Sequence, residues 1–407
     1  MHVQASPTYV DVLIIGAGQA GLSAAYHLHT RGFTQPEGTY EHSGEISGDS
    51  SDHSSDNSPA ASGATDGATG TASASDSDSA SGSTRWTFTI VDANPGPGGA
   101  WQHRWDSLTM ATVNNIYDLP GMPQAEVSPD ARASSTLIDY FGAFERRFDL
   151  QVRRPVRAVR VDNLPTEGNR RLLRTTLDDG TTIDSAFLVN ATGTWTRPYI
   201  PHIPGLESFR GRIIHTQNYR DAEEFRGQKV AIVGGGISAT GHLAEVSRVA
   251  ETTWFTRRPP DFREEFNGHD AVALVEERVR QGLRPQSVVS VTGLGWSPML
   301  KEARARGVMV RHPMFTRVDE TGVIDADGHH RDFDAIIFGT GFRWEMRHLA
   351  PLRLRNSHGG VTMNPPQVAD DPRIFLVGYG PSASTVGANR AGRDAAVSIR
   401  RQLRQRA

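Results

Sequence analysis

The sequence contains no cysteine among its 407 residues. Disulfides, dithiol redox pairs, cysteine-ligated metals and iron–sulfur clusters are therefore excluded, and any redox chemistry has to come from a bound cofactor. The pair His329-His330 lies in the polar stretch DADGHHRD, which is typical of a surface turn. We therefore expect no metal site.

Basic tracts and long apolar segments are also missing. The net charge is −3, and no run of Lys and Arg is interleaved with aromatic residues, which argues against a nucleic-acid partner. The apolar run from Val10 to Ala25 is interrupted by three glycines and a glutamine, too often for a membrane span. No basic segment with a cleavage site precedes it. We expect a cytoplasmic enzyme without a membrane partner.

Acidic residues are unevenly distributed. The window from Thr34 to Thr84 contains nine of them and no Lys or Arg, so the rest of the chain carries about +6, which suits anionic cofactors. This window consists largely of Ser, Asp, Gly, Ala and Thr, which cannot bury enough apolar surface to offset chain entropy. We predict that residues 35–84 are a disordered insertion, either an interaction or phosphorylation segment or a tolerated spacer.

A glycine-rich turn follows the first apolar run. The stretch VDVLIIGAGQAG ends in Gly16, Gly18 and Gly21 and leads into a helical pattern that stops at Gly32. In a strand–turn–helix unit of this kind the first glycine makes the turn, the second admits a pyrophosphate and the third lets the helix pack on the strand. The motif alone is a weak indication of a dinucleotide site.

The acidic residue that should follow such a turn by about 20 positions is missing at that distance. Asp92, which ends the apolar stretch TFTIVDA, lies 71 residues after Gly21, and removing the 50 residues from Gln35 to Thr84 leaves 21. The predicted insertion therefore lies in the loop between the first helix and the second strand of a nucleotide-binding unit.

A second turn of the same kind lies in KVAIVGGGISA, with Gly234 and Gly236, then Ser238, and Ala239 at the third small position. About 20 residues later, where an acid would select NADH, the chain has the pair at positions 257 and 258, Arg257-Arg258. Paired guanidinium groups suit a ribose 2′-phosphate, which favours NADPH, although a solvated arginine pair is the alternative. Two turns imply two dinucleotides, a flavin and a nicotinamide.

Further motifs complete a pattern over nearly the whole chain outside the insertion. They are the GGxW from Gly98 to Trp101, the ATG from Ala191 to Gly193 and FxGxxxHTxxY from Phe209 to Tyr219. With the two turns, the sequence resembles the flavin-containing monooxygenase family and the related Baeyer–Villiger monooxygenases. The resemblance implies an α/β fold with two Rossmann-like domains, an NADPH domain (220–310) inserted in an FAD domain (1–219 and 311–407).

The resemblance also implies an activity. NADPH would reduce FAD, oxygen would form a C4a-(hydro)peroxyflavin, and one oxygen atom would enter a small organic substrate, either a soft nitrogen or sulfur nucleophile or a ketone. The alternatives are a cysteine-free NADPH reductase of the ferredoxin or flavodoxin type, an NADPH oxidase, and a flavin-binding scaffold without turnover. A homodimer is left open, as are the substrate and the role of the insertion.

Site residues follow from the resemblance. A catalytic role at the hinge between the domains is implied for His215. The residues implied to bind the two cofactors are Gly16, Gly18, Gln19, Gly21, Asp92, Gly99, Trp101, Thr192, Gly193, Gly234, Gly236, Ser238, Ala239, Arg257, Arg258, Thr340, Gly341 and Gly378. Core packing is the alternative for Trp101 and for Trp105. Where many relatives have an asparagine near the flavin this chain has Ala111, with Asn114 and Asn115 as substitutes.

Overall fold

The computed structural model describes residues 8–36, 85–113, 116–166, 168, 170–264, 268–286, 291 and 293–406. The α-helices are α1 (Gln19–His29), α2 (Ala133–Arg147), α3 (Ile237–Val246), α4 (Gly268–Arg280), α5 (Pro298–Ala305) and α6 (Thr385–Arg406). None of the described helices is long and apolar enough to cross a membrane.

The strands alternate with these helices in the way expected of an α/β fold. In chain order they are β1 (Thr8–Ile15), β2 (Phe88–Val91), β3 (Val152–Arg153), β4 (Ala158–Asn163), β5 (Leu173–Leu177), β6 (Thr182–Asn190), β7 (Arg212–His215), β8 (Lys229–Val233), β9 (Glu251–Thr256), β10 (Phe262–Arg263), β11 (Leu294–Gly295), β12 (Arg311–Pro313), β13 (Arg317–Val318), β14 (Gly322–Ile324), β15 (His330–Asp332), β16 (Ala335–Phe338), β17 (Met363–Asn364), β18 (Gln367–Val368) and β19 (Ile374–Leu376).

The first lobe is built on a nine-stranded sheet with the order β17-β18-β19-β6-β1-β2-β3, to which β5 and β4 are added beside β6. Strand β1 pairs in parallel with β2 and β6, so both of its edges are hydrogen-bonded within the sheet. Val12 and Ile14 pack with α1, α2 and α6 on one face, and Leu13 and Ile15 join the cluster on the other. This burial explains why β1 is an almost unbroken apolar run.

The second lobe is built on a five-stranded parallel sheet with the order β12-β9-β8-β16-β7. The small antiparallel sheet β13-β14-β15 packs against it through Val318, Val323 and Phe333, which share a core with Phe255 and Phe338. The predicted α/β fold with two Rossmann-like units is therefore confirmed.

The bounds predicted for the inserted domain, 220–310, do not match this sheet. Strand β7 lies before residue 220, and β12 and β16 lie after residue 310, yet all three belong to the second sheet. Conversely, Val279 of α4 is buried in a cluster of the first lobe. Strand pairing, which is a tertiary contact, decides which sheet a segment joins, and the predicted domain bounds stay a prediction.

The predicted insertion leaves and rejoins the first lobe at one point. The Thr34 N–H donates to the Trp86 carbonyl at 3.0 Å, and the Phe88 N–H donates to the Thr34 carbonyl at 2.9 Å. The Gln35 side chain makes two hydrogen bonds with the Gln151 backbone, so position 35 belongs to the folded lobe. The remainder of the predicted disordered segment, 37–84, lies outside the described residues.

Candidate functional site

The first glycine turn joins β1 to α1 with close backbone packing. Gly16 has φ +103°, and a Cβ there would lie 2.5 Å from the Ala191 carbonyl oxygen. A Cβ at Gly21 would overlap the Gly16 carbonyl oxygen, whereas a Cβ at Gly18 would meet nothing within 4 Å. The first and third glycines are therefore required by the protein itself, and the space at Gly18 is left open.

Asp92 lies directly after β2, beside this turn, as the spacing across the insertion predicts. It is 6 % exposed, and its carboxylate accepts hydrogen bonds from the Ala17 N–H at 2.6 Å and the Asn94 N–H at 2.7 Å. Asp92 therefore fixes the turn. Its binding of a ribose hydroxyl through the remaining lone pairs stays a prediction.

The second turn, between β8 and α3, repeats this construction. Gly234 has φ +136°, and a Cβ there would lie 2.3 Å from the Gly339 carbonyl oxygen; a Cβ at Gly236 would meet nothing within 4 Å. Ala239 fills the third position, packed so closely that a Cβ on Gly339 would lie 2.7 Å from it. Ser238 is half-buried in the first turn of α3.

The two predicted phosphate-binding arginines follow β9 at its carboxyl end. Arg257 and Arg258 are both exposed, and neither forms an ion pair with a described residue. Arg311 of the adjacent β12 donates from Nε to the Thr256 Oγ1 at 2.8 Å and from Nη2 to the Thr256 carbonyl at 3.2 Å. The Thr256 hydroxyl donates in turn to the Arg258 carbonyl at 2.9 Å. Sequence reasoning missed Arg311 because it joins the turn only through strand pairing.

The GGxW segment forms a short 3-10 helix, Gly99–His103, against the first turn. A Cβ on Gly99, which has φ +53°, would lie 2.9 Å from the Gly18 Cα. Trp101 is half-buried at the edge of the first-lobe core. Trp105 instead packs on Tyr219 and His242, with ring centroids 5.9 and 5.1 Å away, so core packing accounts for it.

The two chain crossovers between the lobes, 191–201 and 339–346, lie side by side. The Thr192 hydroxyl donates to the Glu345 carbonyl at 2.6 Å, and the Glu345 N–H donates to the Gly193 carbonyl at 3.0 Å. The Tyr199 N–H donates to the Gly341 carbonyl at 3.0 Å, and the Thr340 hydroxyl bonds the Tyr199 carbonyl. The structure thus brings four of the residues predicted to bind the cofactors, Thr192, Gly193, Thr340 and Gly341, together in one two-stranded connection.

His215 fastens the end of β7 to this connection. It is 2 % exposed; Nε2 donates to the Gly341 carbonyl at 2.9 Å, and Nδ1 accepts from the Gln217 N–H at 3.1 Å. This pattern requires the neutral ring, and burial lowers the pKa of His215. With both nitrogens bonded to backbone the geometry favours a positioning role, and the catalytic role stays a prediction.

Gly378 follows β19 and lies near the junction of the crossovers. It has φ +89°, and its carbonyl accepts a hydrogen bond from the Trp344 indole at 3.3 Å. Together with Asn190, Gly193 and Val377 these residues line a small pocket at the carboxyl ends of β6 and β19. Helix α6 begins at Thr385, seven residues further along, after a short 3-10 helix, so Gly378 does not itself open the helix.

Comparison with known proteins decides the family. Residues 96–262 match the family model described as flavin-binding monooxygenase-like. A flavin-containing monooxygenase from Stenotrophomonas maltophilia superposes with a TM-score of 0.71 and 31 % identity, covering 97 % of this chain and 99 % of that one. The chain belongs to the flavin-containing monooxygenase family.

Other relatives of this monooxygenase family are more distant or shorter in overlap. Senecionine N-oxygenase of Tyria jacobaeae is 25 % identical over 206 residues, and trimethylamine monooxygenase of Pelagibacter ubique is 45 % identical over 156 residues. These alignments cover 45 % and 27 % of the two relatives and 44 % and 38 % of this chain. A cyclohexanone monooxygenase, at 16 % identity and a TM-score of 0.60, shares the fold.

The residues present fit FAD and NADPH, the cofactors of the family. Gly18 and Gly236 would accept a Cβ without touching the protein, although both occur in otherwise tightly packed turns. A Cβ on Gly193 or Gly341 at the crossovers would also meet nothing within 4 Å, but there the positive φ angles, +62° and +80°, favour glycine by themselves. Backbone kept bare beside open space is what a closely approaching pyrophosphate or flavin ring requires.

Gln19 points from the first turn of α1 toward α6. Its Nε2 donates to the Asn389 Oδ1 at 3.0 Å and to the Tyr117 carbonyl at 3.2 Å. Its Oε1 is buried and has no partner among the described residues. That oxygen is the part of Gln19 left to contact a cofactor, so the predicted cofactor contact stays a prediction.

Two expectations concern other parts of the surface. Ala111 is exposed and its N–H donates to the Pro129 carbonyl at 2.8 Å, whereas Asn114 and Asn115 lie outside the described residues.

The turn between β14 and β15 brings ligand atoms of Asp325 and His329, with those of Asp327, within 4.8 Å of one another. The Asp325 Oδ1 accepts from the backbone N–H groups of the other two, as in an ordinary polar turn.

Proposed function

We propose that the protein is an NADPH-dependent FAD monooxygenase that transfers one atom of molecular oxygen to a small organic substrate. The observation that carries the proposal is the repeated construction of the two turns, each with one glycine left bare beside open space. Membership of the family supports the same activity. A soft nitrogen or sulfur nucleophile or a ketone is the proposed substrate class, since relatives are named as senecionine, trimethylamine and cyclohexanone oxygenases.

Binding is the first task of the chain itself. Gly18 and Gly236 directly precede α1 and α3, so the open space beside them lies at two helix N-termini, where helix dipoles favour a pyrophosphate. Arg257 and Arg258 supply the positive charge for a ribose 2′-phosphate, and Arg311 holds their turn through Thr256. NADPH is therefore the proposed nicotinamide cofactor.

Rigidity at the end of β6, near the crossovers, is the second task of the chain. The His348 Nε2 donates to the Asn190 Oδ1 at 2.7 Å, and the Asn190 amide donates to the Thr192 Oγ1 at 3.1 Å. These bonds fix the end of β6 against Glu345 of the return crossover. Bound FAD, once reduced by NADPH, supplies the oxygen-activating chemistry; the protein orients the two cofactors and keeps water out of the pocket beside Gly378.

The experiment that tests the proposal uses oxygen isotopes. FAD-loaded protein is supplied with NADPH, ¹⁸O₂ and, in turn, a thioether, a tertiary amine and a cyclic ketone. We expect one ¹⁸O atom in the product of at least one substrate and one NADPH consumed for each product. Oxygen-16 gas in ¹⁸O-water is the control. Complete conversion of the reducing equivalents into hydrogen peroxide with every substrate would refute the proposal in favour of an oxidase. Location in the cytoplasm and dimerisation stay predictions.

A further inference from the structure

Arg104 lies among three tryptophans at the junction of the lobes. Its guanidinium carbon is 4.4 Å from the ring centroid of Trp195, 5.4 Å from that of Trp101 and 5.9 Å from that of Trp105. The three indoles come from different segments: the short helix after the first turn, the chain just beyond it, and the first crossover. They hold the cation in one place.

This cation has no counter-charge among the described residues. Its Nε is buried without a hydrogen-bond partner, and no described carboxylate forms an ion pair with it. Burial alone lowers the pKa of Arg104 to about 10. Arg104 is partly exposed as a residue, and cation–π contacts offset only part of the cost of moving a cation out of water. The site therefore stabilises a cation only in part and leaves its hydrogen-bonding capacity unused.

The segment around Arg104 lies between the two glycine turns that are the candidate nucleotide sites. Gly99, at the start of the same short helix, touches the Gly18 backbone of the first turn. On the other side Trp105 packs on His242 of α3, the helix that begins at the second turn. Arg220 is close enough to help lower the pKa of His103, so a second cation lies near this junction. The two arginines place positive charge between the two turns, where a molecule reacting with either cofactor would lie.

We propose that Arg104 binds two oxygens of one anionic group at this junction, a carboxylate of the substrate or a phosphate of NADPH. The proposal rests on the proposed function, because it places a reacting molecule between the two cofactor sites. A guanidinium fork matches either group through two parallel, charge-assisted hydrogen bonds. The tryptophans orient that fork and exclude water from its back, while the anion supplies the missing counter-charge.

Calorimetric titration of FAD-loaded protein shows whether the anion that Arg104 binds is a substrate carboxylate or a phosphate of NADPH. The probes are NADP⁺, the carboxylate 3-(methylthio)propanoate and its uncharged methyl ester. If phosphate is the source, Arg104→Gln weakens NADP⁺ binding by about tenfold to a hundredfold, the size of one bidentate charge-assisted contact. If carboxylate is the source, NADP⁺ binding is unchanged and the preference for the acid over the ester disappears. Arg104→Lys keeps the charge without the fork and gives an intermediate loss.

Arg147→Gln is the matched control, because the guanidinium carbon of Arg147 also lies over an aromatic ring, 5.7 Å from the ring centroid of Phe148. Arg147 is exposed and is distant in sequence from both glycine turns. Flavin content and melting temperature verify that each variant is folded. The inference is overturned if Arg104→Gln leaves both NADP⁺ affinity and the acid-to-ester ratio within twofold of wild type. Labelled-oxygen transfer to uncharged methyl phenyl sulfide, measured on wild-type protein, tests the monooxygenase activity independently of either result.

Discussion

The glycines of the first turn allow steric requirements of the protein to be separated from those of the cofactor. In Gly21→Ala the new Cβ would lie 1.8 Å from the Gly16 carbonyl oxygen, whereas ordinary contact begins at 3.4 Å. The start of α1 and the turn therefore have to separate by about 1.6 Å. Overpacking of this kind costs about 1–3 kcal/mol, and the gain in helix propensity from Ala offsets roughly 0.5–1 kcal/mol.

The Gly18→Ala variant should keep its stability and lose affinity for FAD. Gly18 has φ −83°, which alanine adopts without strain, and the new methyl group meets no protein atom within 4 Å. The FAD-free protein should therefore keep its stability within about 1 kcal/mol. The methyl group does enter the space assigned to the FAD pyrophosphate. Loss of one hydrogen bond to a charged phosphate, about 1.5–3 kcal/mol, would raise the FAD dissociation constant roughly tenfold to a hundredfold.

The assay measures both quantities on each variant. Thermal unfolding of FAD-free protein should show a melting temperature several degrees lower for Gly21→Ala and nearly unchanged for Gly18→Ala, at about 2–4 °C per kcal/mol. Titration with FAD, followed by quenching of flavin fluorescence, gives the affinity. Gly236→Ala is the control, since it should bind FAD normally and lose NADP⁺ affinity. Wild-type FAD affinity in Gly18→Ala would refute the assignment of the open space.

Three other predictions test the cofactor, the buried histidines and the insertion. Arg257→Gln and Arg311→Gln should each raise KM for NADPH about tenfold or more and leave KM for NADH within about twofold; equal effects on both would contradict a 2′-phosphate site. Burial lowers the pKa of His242 to about 3 and that of His348 to about 4, so below pH 6.5 the unfolded chain binds the extra protons. Urea unfolding should show that the free energy of unfolding decreases as the pH is lowered from 6.5 toward 4, by about 1.4 kcal/mol per pH unit for each histidine. The His348→Gln variant should show a smaller slope. Replacing residues 37–84 by a six-residue linker should leave the melting temperature unchanged or raise it, because each halving of a loop lowers its closure cost by about 0.6 kcal/mol; a lower melting temperature would show that the segment makes stabilising contacts.

The glycine turns and Asp92 could be predicted because their requirements are local. Gly16 and Gly21 must be glycine to let backbone pass backbone, and that constraint appears directly as a residue type at a fixed spacing. The spacing to Asp92 survived a long insertion because the insertion begins and ends at neighbouring backbone, between Thr34 and Trp86. Removing the low-complexity segment in sequence therefore restored the spacing that the folded lobe has in space.

Other features depend on contacts between distant segments and left no local pattern. Arg311 reaches Thr256 across 55 residues through the pairing of β12 with β9. The surroundings of Arg104 need Trp195 from a crossover 91 residues away. The extent of the second sheet left no local pattern for the same reason, since β7 and β16 join that sheet only by pairing with each other and with β8.

The paired crossovers act as a mechanical joint with a preferred direction of motion. Sliding one crossover along the other would break the bonds from the Arg343 N–H to the Arg197 carbonyl, at 2.8 Å, and from the Tyr199 N–H to the Gly341 carbonyl. Bending both crossovers together keeps these bonds intact. The Gly341 carbonyl also accepts the hydrogen bond from His215, so this end of the paired crossovers is fixed to β7. We therefore expect the lobes to open and close about a single axis rather than to slide past each other.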